Sequence, residues 1–89
     1  MKIFVLISTI ADHEGNFDSA VRAFTDGVYA RIVALALNDL LDDWRKNGKN
    51  HGEEADAIIE KIRRYDSDIV FLTNDLSYWV DEIELETTI

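Results

Sequence analysis

Apolar positions fall into short runs of strand-like and helix-like period. In Lys2–Ile10 (KIFVLISTI), Ile3, Val5 and Ile7 point one way and Phe4, Leu6 and Ile10 the other. A strand apolar on both sides needs cover on both, which predicts a central strand. Gly15-Asn16 then supplies turn chemistry, and Phe17–Phe24 (FDSAVRAF) returns as the second strand of a hairpin.

Thr25 or Asp26 is placed to cap a helix. Its apolar residues, from Val28, Ile32 and Leu35 to Leu41 and Trp44, cover well over a third of its circumference. That width predicts a helix deep in the core. Gly48 is a natural stop. Asn50 with Glu53 resembles a capping box for a second helix, which carries a narrow stripe of Ala55, Ile58, Ile59, Ile62 and Tyr65 and a Glu60–Arg64 pair. The short connection predicts antiparallel neighbours. Asp68–Thr73 (DIVFLT) reads as a doubly apolar third strand, 74–77 as a turn and Tyr78–Glu86 (YWVDEIELE) as a fourth strand. The expectation is one α+β domain over 1–89: a four-stranded antiparallel sheet in ββααββ order, with an antiparallel helix pair on one face.

Charge changes the picture more than any other property. A net charge of −9 on 89 residues argues against direct binding to nucleic acid or anionic membrane, because phosphate neutralisation needs clustered Lys and Arg. It favours solubility and attraction to a basic partner. No apolar run is long enough to span a bilayer, and the N-terminal run is too short for a signal peptide, so the expected location is cytoplasmic. Without cysteine there is no disulfide, thiolate nucleophile or zinc–sulfur site.

Enzymatic chemistry finds no constellation. A calcium loop begun at Asp12 places Phe17 where glycine is required. His13 and His51 lie in polar loops beside glycine, with no partner set for general-base work. No glycine-rich phosphate loop is present. The reading is a non-enzyme with no metal or cofactor.

Two acidic groups carry the functional question. Asp39, Asp42 and Asp43 cluster on the exposed side of the first helix. Glu82, Glu84 and Glu86 recur at every second position, about 7 Å apart along one strand face. Either row reads as a solvated face or as a surface to be bound. The helices are expected to cover the Trp79/Ile83/Leu85 side, leaving the glutamates on the open face, with Trp79 or Tyr78 as aromatic anchors. The aspartates belong to the helix layer, which would set the two acidic groups on opposite sides. Two helices cover one face only, so Phe4, Leu6, Val70 and Leu72, or their alternates, would be exposed. A homodimer joined sheet to sheet is one solution and a partner protein another. The alternative function is an oligomeric domain that binds or sequesters a small molecule.

The opening strand, the VRAFTD step (21–26) into a helix containing Ala30, and the aromatic–acidic close at 78–85 resemble the layout of many short, mostly uncharacterised acidic phage and bacterial proteins. The resemblance spans most of the chain and supplies no catalytic residue. It implies a phage or mobile-element origin. It also implies a role as an inhibitor of host defence or nucleic-acid-handling proteins, in some cases through acidic mimicry of nucleic acid.

Overall fold

The computed structural model describes residues 1–12, 14–48, 52–69 and 72–85. Strand β1 (Lys2–Asp12) pairs antiparallel with β2 (Gly15–Phe24) on one side and β3 (Leu76–Glu84) on the other, giving the order β2-β1-β3. The central placement expected of β1 follows from its two apolar faces. The hairpin closes with Asp12 opposite Gly15. Gly15 has φ +133°, a conformation that β-carbon-bearing residues rarely adopt. The register slips between Leu6 and Ile7, and the extra residue, Val21, packs against the edge of the core.

Helix α1 (Gly27–Asp43) is capped by Asp26, whose carboxylate accepts the amides of Val28 (2.9 Å) and Tyr29 (3.2 Å). Its first turn presses on Phe4. A β-carbon added at Gly27 would meet that ring at 2.5 Å, so glycine permits the close approach. Arg31 then lies over the same ring, 5.4 Å from its centroid. At its far end α1 widens into a π-helical turn (Trp44–Gly48), which seats Trp44 in the core while Arg45 reaches the sheet.

Helix α2 (Gly52–Arg63) packs against α1. The following Tyr65 comes beside Tyr29, and the hydrogen bond between them is the leading cause raising the Tyr29 phenol above its ordinary range. Ile58 and Ile62 join Leu6, Leu37, Leu41 and Tyr78 in one core. The Asn50 cap expected for α2 lies outside the described residues. Glu60 pairs with Arg63 at 2.8 Å rather than with Arg64, because the helix ends at Arg63 and Arg64 leaves its surface. No described helix is long and apolar enough to cross a membrane.

The fold is α+β, but among the described residues the sheet has three strands, not four in ββααββ order. Of the segment expected to be the third strand, 68, 69, 72 and 73 form turn and irregular structure, and 70 and 71 lie outside the described residues. Ile69 is buried without a strand partner. The outer edge of β3 gives the reason. Asn38 Nδ2 donates to the Tyr78 carbonyl at 2.9 Å, and its Oδ1 accepts the Tyr78 amide at 2.9 Å. Arg45 Nη2 donates to the Leu76 carbonyl at 2.6 Å. Helix side chains thus occupy the groups through which another strand would pair.

Candidate functional site

The rungs of the sheet assign each face. Leu6, Ser8 and Ile10 lie opposite Val80, Tyr78 and Leu76, and this is the side that α1 covers. Glu82 and Glu84 share it, so the expected orientation of β3 is reversed: the helices cover the even-numbered side, and Trp79, Asp81 and Ile83 face open space. Apolar residues occupy both sides of β3, so alternation alone does not choose between them. Tyr78, fixed by Asn38 and Asp66, does. Beyond the start of α1 the glutamates are exposed and paired, Glu82 with Lys2 at 3.2 Å and Glu84 with the N-terminal ammonium at 3.6 Å. Glu86 lies outside the described residues. Exposed pairs of this kind contribute about 0–1 kcal/mol.

Asp39, Asp42 and Asp43 lie on the outer surface of α1, where Arg45 pairs with Asp42 at 3.1 Å. Both acidic groups therefore project on the helix side of the sheet, not on opposite sides. They sit at opposite ends of α1, about 20 Å apart at the helical rise per residue, and form no continuous track. The aspartates continue a line that begins with Val28, Ile32 and Leu35, which are 69%, 57% and 65% exposed. This line runs opposite the buried stripe of Ala30, Val33, Ala34, Leu37 and Leu41. The width that predicted a deeply buried helix is instead two apolar stripes, one on the sheet and one in solvent.

The open side of the sheet carries Ile3, Val5 and Ile7 along β1, with Trp79 and Ile83 beside them on β3. Trp79 Nε1 donates to Thr9 Oγ1 at 2.7 Å, and Thr9 Oγ1 donates to Asp18 Oδ1 at 2.6 Å. The indole is thereby fixed across the face, which suits an interface anchor. Tyr78, the other expected anchor, is a core residue: it is 3% exposed, and its hydroxyl donates to Asp66 Oδ2 at 2.7 Å.

A cleft of about 230 Å³ opens between the sheet and the segment after α2, lined in part by Ser8, Ser19, Asp66, Asp68, Ile69 and Thr73. The Thr73 hydroxyl is buried without a partner. Among the described residues no three His, Cys, Asp or Glu side chains come together to hold a metal. His13 and His51 lie outside the described residues. Sequence reasoning missed Asn38, Arg45 and Asp66. Asn38 left a signal, as an amide between Leu37 and Leu41 on an otherwise apolar helix face. No protein-family model, curated protein or solved structure matches this chain.

Proposed function

We propose that this protein is a non-enzymatic acidic interaction protein whose outer α1 surface docks on a basic partner. The carrying observation is the line from Val28, Ile32 and Leu35 into Asp39, Asp42 and Asp43, exposed throughout. Carboxylates at one end steer a cationic surface and set its orientation. Apolar side chains at the other end supply the desolvated contact from which most affinity comes. Glu82 and Glu84, matched by Lys2 and the N-terminal ammonium, add little net charge at the opposite end of the helix. In the narrower form implied by the resemblance, a phage-borne inhibitor, the partner is a host nucleic-acid-handling or defence protein whose docking site ordinarily receives phosphates.

The test is capture from a bacterial lysate on the tagged chain, eluted in steps of rising salt, with identification of what is released. Wild type is expected to release basic nucleic-acid-binding proteins at moderate salt. Asp39→Asn/Asp42→Asn/Asp43→Asn and Val28→Ser/Ile32→Ser/Leu35→Ser are each expected to lose them while melting as wild type does. Identical eluates from all three proteins, or an empty wild-type eluate, would sink the reading. The cleft beside Asp66 favours the second reading, small-molecule binding, with organic amines the matching chemistry. A rise in melting temperature with such amines, lost in Asp68→Asn, would support it.

A further inference from the structure

We infer that the open sheet face is closed by a second copy of this chain, related by a two-fold axis running along β1. Among the described residues the face has no layer above it: Ile3, Val5 and Ile7 are half-buried along β1, and beside them on β3 Trp79 is 42% and Ile83 39% exposed.

The face is complementary to itself. One rung runs Ala20–Ile7–Trp79, from a small residue on one outer strand to the largest on the other. A two-fold axis along the central strand lays Trp79 of each copy over Ala20 of the other and β1 over β1. The next rungs follow the same rule. Asp18–Thr9–Ser77 brings the Asp18 carboxylate over a Ser77 hydroxyl, and Ala23–Val5–Asp81 brings Asp81 over Ala23. No carboxylate meets another. Asp18 and Asp81 are the only charged residues among the described strand positions of this face, and both are on outer strands, the polar rim of an apolar centre. A chain with 18 acidic residues has kept this face nearly free of charge, which suits a neutral copy of the same face better than a basic protein.

The product is a four-layer body, helix–sheet–sheet–helix, with the sheets packed about 10 Å apart. Both outer α1 surfaces stay free, so the dimer would present two docking sites. The inference does not rest on the α1 reading, and the variants that test the two share no residue.

Sedimentation of the full chain over a concentration series is the measurement, with Ala20→Trp and Trp79→Ala as variants. Both positions are exposed in the single chain. Wild type is expected to be dimeric at tens of micromolar. Each variant should associate at least tenfold more weakly, one from two opposed rings and the other from two empty hollows. An equimolar mixture should recover the dimer. In the mixed pair, the indole introduced at position 20 fills the hollow left at position 79, and the native Trp79 of the first variant meets the native Ala20 of the second. Ala20→Arg with Trp79→Glu repeats the pattern by charge if the added ring disturbs folding. X-ray scattering of the wild-type dimer should give a radius of gyration of about 18 Å, from two 14.5 Å bodies with centres about 20 Å apart. A wild-type monomer at several hundred micromolar, a dimer indifferent to Ala20→Trp, or a mixture that stays monomeric would each overturn the inference.

Discussion

Tyr78 and Asp66 hold each other in the core, and neither is well accommodated alone. Their hydrogen bond, 2.7 Å long, joins β3 to the segment after α2, where no strand pairing among the described residues does so. Tyr78→Phe removes the donor and leaves the buried carboxylate to find another. The expected cost is about 1–3 kcal/mol, read as a lower urea midpoint at pH 7. Burial first, then the hydrogen bond and the negative charge of Asp66, raise the Tyr78 phenol far above its ordinary 10.0. The fold therefore favours the protonated phenol. Its contribution is complete below pH 10 and is lost as pH rises beyond that, because the unfolded phenol ionises while the folded one does not. Urea midpoints measured from pH 9 to 11.5 should fall for wild type and fall less steeply for Tyr78→Phe. Equal slopes would mean that the phenol is not held protonated by the fold.

At the scale of elements, the decisive feature is the guarded edge of β3. Asn38 satisfies both outward backbone groups of Tyr78, and Arg45 satisfies the carbonyl of Leu76. Asn38→Ala should cost about 1–3 kcal/mol in urea unfolding, because a part-buried amide and carbonyl lose their partners together. It should also raise the rate of thioflavin-positive aggregation, since the bared edge becomes a template for another strand. Unchanged stability and aggregation would show that water serves this edge equally well. The same residues explain what the sequence could and could not reveal. Two-sided apolarity in β1 and the Asp26 cap are local properties and were legible. Asp68–Thr73 has the composition of a strand, yet strand formation requires a free edge, and two polar side chains from the α1 end of the chain, Asn38 and Arg45, occupy it. Val28, Ile32 and Leu35 announced an apolar surface without announcing what would cover it. Of the candidate site, the aspartate cluster and the fixed Trp79 were visible as residue types. The aspartates lie on the exposed helix side expected of them, but the face of Trp79 was not legible, because alternation in β3 fits either side and only contacts distant in sequence choose one.

For the whole molecule, a charge of −9 acts on its two candidate interfaces with opposite sign. Two copies stacked at the sheet face repel each other through −9 against −9. With centres about 20 Å apart, point-charge repulsion screened over a Debye length of about 10 Å at 0.1 M salt amounts to roughly 2 kcal/mol. At 0.5 M the Debye length shrinks to about 4 Å and nearly all of that repulsion disappears. Self-association should therefore tighten about ten- to thirty-fold over this range, since burial of Val5, Ile7 and Trp79 is not weakened by salt. Docking of the α1 carboxylates on a basic surface should respond in the opposite direction, because screening removes an attraction. Sedimentation and partner capture, each measured at 0.1 and 0.5 M salt, separate the two interfaces without any mutation. Dimer strengthened and partner released is the expected pair of results. If both weaken together, the sheet-face contact is itself electrostatic, and the apolar centre assigned to it is wrong.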